Sequence, residues 1–141
     1  MREILFKAKR IDNGEWVEGC YAALDDKSFI CTDVVELYRV HALRWFEIDP
    51  ETLCQFAGLT DKNGNKIWEN DIVNTKSNVC VQIKFGLYSN GFSTWKHNQG
   101  FYMDFMDKEY YRPELGYWAG KSVVVGNIFD NPELLQEESD E

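Results

Sequence analysis

No stretch of the chain comes near the roughly 20 consecutive apolar residues that carry a helix across a bilayer. At the amino terminus Lys7, Lys9 and Arg10 interrupt the apolar residues, whereas a secretory signal needs about 7–15 of them unbroken. The protein is therefore expected to be soluble, without a membrane partner, and cytoplasmic. Cysteine is scarce too. Cys20, Cys31, Cys54 and Cys80 are too few for a disulfide scaffold, and no pair has C-x-x-C spacing. Their apolar neighbours (Tyr21, Ile30, Phe56, Val79, Val81) predict reduced and mostly buried thiols.

Catalytic signatures are missing as well. Histidine occurs only as His41 and His97, with no H-x-x-x-H spacing to announce a metal site. There is no G-x-S-x-G nucleophile elbow, and the cysteines lack basic neighbours that would lower a thiol pKa. Gly86, Gly91 and Gly100 do not form a phosphate-cradling loop. Adjacent acids such as Asp25-Asp26 and Glu137-Glu138 read as solvated charge. The expectation is a non-enzymatic protein with no metal and no cofactor.

Basic residues are also in deficit: 15 Lys and Arg face 24 Asp and Glu, a formal net charge of -9. Five of those acids (Glu133, Glu137, Glu138, Asp140, Glu141) close the chain without a base among them, leaving 19 acids against 15 bases, a net -4, in the remainder. The tail at about 136–141 is read as a flexible, solvated end. Sequence-independent nucleic-acid binding rests on cations neutralising phosphates, so this balance makes nucleic acid an unlikely partner.

What the 141 residues do contain is aromatic mass: five Trp, seven Tyr and nine Phe. Each can bury roughly 150–250 Å², enough for a real core in a single domain of this size. Asn13-Gly14, Asn63-Gly64 and Asn90-Gly91 tolerate positive φ and mark reversals between strands. Between them lie β-prone runs at 4–10, 15–24, 29–32, 44–48, 53–59 and 67–74. Val79, Val81, Ile83 and Phe85 alternate with Cys80, Gln82 and Lys84, and Phe101, Met103 and Phe105 alternate likewise. Residues 122–129 form a nearly continuous apolar run, suited to a central strand. Residues 33–42 are ambiguous, because Val34, Leu37, Tyr38 and His41 also fit helical spacing. Asp49-Pro50 opens at most one helical turn, and Asn131-Pro132-Glu133 opens a short C-terminal helix. The fold class is all-β, a β-rich pseudo-barrel or sandwich of SH3-like flavour with two or three short helices.

Two blocks carry a family resemblance. The first runs from Gln55 to Val73, through Gly58-Leu59-Thr60-Asp61-Lys62-Asn63-Gly64 and Ile67-Trp68-Glu69-Asn70-Asp71-Ile72-Val73. The second is Val124-Val125-Gly126-Asn127-Ile128-Phe129-Asp130-Asn131-Pro132-Glu133-Leu134-Leu135. Both resemble the YopX family of phage and prophage proteins, and the opening Arg10, Asn13-Gly14 and Trp16 fit too. Ala57 stands where the family usually has Thr, Asn70 where it has Gly, and Val125 where it has Ile. Asn tolerates positive φ better than other non-Gly residues, so the turn at Asn70 should survive. The resemblance implies one small β-rich domain over residues 1–141, carried by phages or integrated elements and working in a bacterial host cytoplasm, with no established activity. Locally, Asp61 is placed to cap backbone N–H groups, and Gly64 to take positive φ.

One stretch invites a functional reading. Residues 94–118 interleave aromatics with Lys96, Lys108, Arg112 and four acids. Trp95, Tyr102, Tyr110, Tyr111, Arg112 and Trp118 are the candidate binding residues, since Tyr, Trp and Arg are enriched at interfaces. Core packing is the plainer role for the same residues. The leading expectation is a protein-binding accessory module, with self-association as a homo-oligomer one form of that role. The alternative is nucleic-acid-linked: bases of a single strand stacked on the aromatics, or mimicry of DNA charge.

Overall fold

The structure, a computed structural model, describes residues 3–75, 79–89, 98–105 and 113–135, apart from the side chain of Leu37. The chain divides into two compact units, residues 1–56 and 57–141. It is all-β: the described residues form two antiparallel sheets, one short α-helix and single 3-10 turns.

In the first unit β1 (Phe6–Lys9), β2 (Trp16–Leu24), β3 (Lys27–Leu37), β4 (Val40–Ile48) and β5 (Cys54–Thr60, which runs on into the second unit) lie in the order β4-β3-β2-β1-β5. Turn chemistry sets the first reversal. Gly14 has φ 74°, its N–H donates to the Arg10 carbonyl, and the Asn13 side chain accepts from the Glu15 N–H at 2.9 Å. Phe6 then pairs with Gly19 and Lys9 with Trp16. Ala8, Ile30 and Ile48 are fully buried, with Phe6, Val17, Tyr21 and Leu53 packed around them. A bridge between Arg10 and Ile48 brings the end of β1 onto β4. This partial closure is as far as the expected pseudo-barrel goes, for neither sheet closes on itself.

The ambiguous segment 33–42 is strand, not helix. It forms a hairpin whose two turn residues, Tyr38 (φ 48°) and Arg39 (φ 70°), both adopt left-handed backbone. That is the type I′ pattern, the one whose twist matches paired strands. The helical spacing of Val34, Tyr38 and His41 is incidental, because none of the three is buried.

In the second unit the end of β5 is followed by β6 (Lys66–Trp68). A second sheet has the order β10-β7-β8-β9, built from β7 (Asp71–Asn74), β8 (Cys80–Tyr88), β9 (Asn98–Asp104) and β10 (Val123–Asn127). Period-two alternation is obeyed where the core demands it: Ile67, Val73, Val81, Ile83 and Met103 are buried together with Phe105, Leu115 and Ala119. The apolar run at 122–129 is an edge strand rather than a central one, with a bulge between Val124 and Gly126. The side chains of β10 itself are half-buried or exposed, Val125 at 41%, which is why a smaller residue than the family's Ile is tolerated there.

Helix is brief. Among the described residues Leu115–Trp118 is the single α-helical turn (α1), which nothing local announces. Pro50–Thr52 is a 3-10 turn capped by Asp49, whose side chain accepts from the Glu51 N–H at 3.0 Å. Pro132–Leu135 is likewise 3-10. The thiols correct one expectation. Only Cys54 is buried; Cys31 and Cys80 are half-buried and Cys20 is exposed. Strand alternation places the latter three at solvent-side or edge positions despite their apolar neighbours.

Asn70 has φ 72° between β6 and β7, as its turn requires. Its N–H donates to the Ile83 carbonyl, its carbonyl accepts from Ile128, and its side-chain oxygen accepts from Gln82 at 3.0 Å. Asn70→Gly should therefore be nearly neutral, because relief at positive φ offsets the lost Gln82 contact. Asn70→Ala, which has neither advantage, should cost about 1 kcal/mol. Paired urea titrations of the two variants check the ordering.

Candidate functional site

Most of the expected aromatic site lies outside the described residues: Trp95, Tyr110, Tyr111 and Arg112 all do, as does the acidic tail at 136–141. Tyr102 and Trp118 are described, and they are not neighbours on one face. Trp118 is half-buried at the end of α1, with its ring 5.4 Å from Phe105 and 5.2 Å from Tyr117. It packs against the second unit's core, which is the plainer of the two roles. Tyr102 lies mid-strand in β9, 5.4 Å from Tyr88 across the ladder.

The polar face of the β8–β9 hairpin carries that tyrosine pair beside Lys84 and Asp104, whose charged groups meet at 2.8 Å. The hydrogen bond that Lys84 donates to Asp104 holds its pKa above the ordinary value, against a smaller opposing effect of burial. Burial, and then the charge of Glu114, push the Tyr88 phenol up. The lysine beside these rings is thus already engaged by a carboxylate. That weakens this face as a platform for phosphates.

The opposite face is different. Val81, Ile83, Phe85 and Leu87 lie on one side of β8, and the first two are buried. Phe85 and Leu87 continue the same row beyond the core at 48% and 69% exposure. Across the ladder Phe85 meets Phe101, with ring centroids 4.9 Å apart in an edge-to-face arrangement, and Leu87 meets Gln99. The row runs straight toward the ends joined by residues 90–97. Its members are β-prone apolar residues in strict alternation, which reads as core, yet the outer two are exposed.

The turn carboxylates are structural. Asp61, 4% exposed, accepts the N–H groups of Asn63 and Asn65 with one oxygen and that of Val124 with the other, each at 2.9 Å. Asp71 accepts the Trp68 N–H at 2.8 Å. Among the described residues no three His, Cys, Asp or Glu side chains gather in a way that could hold a metal ion. No helix there is long and apolar enough to cross a membrane.

Comparison with known proteins bears on family and fold. A model of the YopX protein family matches residues 5–136. No curated protein matches the chain. Among solved structures, the crystal structure of protein EF1440 from Enterococcus faecalis is similar at 23% identity and a TM-score of 0.56, over 96% of this chain and 100% of that one. At that identity the likeness speaks to the fold alone.

Proposed function

We propose that this chain, which belongs to the YopX family, is a non-enzymatic module that binds another protein through the apolar face of its β8–β9 hairpin. The observation that carries this reading is the row Phe85–Leu87, continuing a buried strand face into solvent beside Phe101. Contiguous exposed apolar surface is costly in water and marks interaction sites. The expected 94–118 stretch contains β9, the second strand of the same hairpin. The net charge of -9 favours a basic partner. The setting suggested by the resemblance, a phage or prophage accessory protein in a bacterial cytoplasm, belongs to this reading.

A pull-down from host lysate tests it, comparing the natural chain with a Phe85→Ser, Leu87→Ser double variant. Both side chains are already exposed, so the variant should keep its thermal midpoint within a few degrees. Capture should fall at least tenfold. Equal capture by both proteins would remove this face from the reading. Quenching of Trp fluorescence by single-stranded DNA at low salt would favour the nucleic-acid alternative instead.

A further inference from the structure

The β3–β4 hairpin of the first unit carries a second surface, independent of the β8–β9 face. β4 ends the sheet, and before the Arg10–Ile48 bridge at its far end its outer long side has no strand beside it among the described residues. Backbone alternation decides which groups face that side. Leu37 and Val40 close a two-residue turn and so form a hydrogen-bonded pair, which directs the N–H and C=O groups of Val40, Ala42 and Arg44 to β3. Those of His41, Leu43, Trp45 and Glu47 face outward. The Glu47 carbonyl bears this out by accepting the Ile11 N–H at 3.1 Å on the outer side. Among the described residues, His41, Leu43 and Trp45 have no backbone hydrogen bond there.

The side chains do little to guard this edge. Val34, Leu43 and Trp45 share one face of the hairpin at 57%, 56% and 41% exposure, and Val40 on the other face is at 62%. Proline is absent from β4, and the Arg44 charge is directed to Asp33 at 3.5 Å. Edge strands normally carry such devices against pairing with another chain.

We propose that β4 is a self-pairing edge, on which a second copy of this chain adds its own β4 in antiparallel register. Charge selects that occupant. Residues 37–46 contain Arg39, His41 and Arg44 and no acid, in a chain of net -9. Two acidic molecules can therefore approach here without apposing carboxylates. Geometry selects the register, with Leu43 facing Leu43 of the second copy at the two-fold axis. Then His41 faces Trp45, Val40 faces Phe46 and Ala42 faces Arg44, so no like charges meet. The outward groups of the three residues in each copy give about six hydrogen bonds. A register shifted to centre on Arg44 would oppose two guanidinium groups and require the Glu47 carbonyl that Ile11 already occupies.

The test is light scattering of the full chain across roughly 1–500 µM, a span that covers micromolar dissociation constants. Mass should rise from 16.5 kDa toward about twice that. Leu43→Pro removes an N–H that β3 does not use, a change an edge strand accommodates. It should be monomeric throughout, with an unchanged circular dichroism spectrum. Leu43→Lys, which keeps the N–H but opposes two charges at the axis, should weaken association at least tenfold and serves if the proline variant misfolds. The Leu43 amide should also gain protection from hydrogen exchange as concentration rises. A natural chain monomeric over the whole range, or variants that associate as well as it does, would overturn the proposal, as would pairing only with a foreign extended peptide. The Phe85, Leu87 double variant should dimerise normally, so failure here is distinct from failure of the β8–β9 reading.

Discussion

Gly19→Ala is expected to abolish the cooperative unfolding transition of the first unit. A Cβ at this position would sit 1.8 Å from the Cys31 carbonyl oxygen and 2.8 Å from its carbon. Both are backbone atoms of the neighbouring strand, so no side-chain rotation relieves the overlap. β2 would have to move off β3, at the cost of the Cys20–Cys31 register, or off β1, at the cost of the Phe6–Gly19 pair. β3 changes register between Cys31 and Asp33, which is where this close approach falls. The penalty should exceed about 4 kcal/mol, in the range reserved for backbone clashes and broken cores. Thermal melts and amide exchange at Ala8, Ile30 and Ile48 measure it. Gly116→Ala is the control: nothing lies within 4 Å of its Cβ and it sits in α1, so it should be neutral or slightly stabilising. If the Gly19 variant melts within a degree or two of the natural chain, the contact is not as close as described.

Asp61→Ala should be the second most damaging change. It strips the acceptor from three backbone N–H groups at once, two in the turn and that of Val124 in β10. Hydrogen bonds to charged groups are worth about 1.5–3 kcal/mol each, with partial rescue by water at the turn. A loss of about 3 kcal/mol, or roughly 10 °C in thermal midpoint, is expected. The pH dependence distinguishes the charge from the contacts. Burial pushes the Asp61 pKa up, but the N–H groups of Val124, Asn65 and Asn63 outweigh it and hold the carboxyl below its ordinary value. A depressed folded pKa means the carboxylate contributes its stability above the unfolded value of about 3.9 and loses it as pH falls through the folded one. Denaturant titrations should therefore show the natural chain weakening faster than Asp61→Asn below about pH 4. Parallel acid limbs would show that the charge contributes nothing.

Much of this architecture is written in short segments. Asn13-Gly14 and Asn63-Gly64 reverse the chain where turn chemistry says they must, and Asp61 caps its own loop. Asn70 takes the positive φ that the family's Gly would. The alternation of Val81, Ile83 and Met103 points them into a core. Each of these is decided by φ preference, a side chain reaching a neighbouring N–H, or a period of two, and so lies within a few residues. Family membership was legible for the same reason, since its two blocks are largely such turns and the strands they feed.

The candidate surfaces were less legible. Tyr102 and Trp118 looked like members of one aromatic patch, yet Trp118 packs on the core and Tyr102 pairs with Tyr88. Phe85 has the pattern of a core residue and is exposed, because burial depends on what lies opposite and not on the strand's own alternation. No turn residue announced Tyr38-Arg39, where strand pairing on both sides holds two non-glycine residues in left-handed backbone.

By itself, then, the sequence determined the scarcity of every catalytic signature, the all-β class, the family and the turns that punctuate the chain. Tertiary structure alone decided that 122–129 is an edge, that β4 is left open along Leu43 and Trp45, and that Asp61 reaches Val124 across 63 positions. The division has one physical cause. Local preferences act through neighbouring bonds, whereas exposure, edges and clashes exist only once distant segments have met.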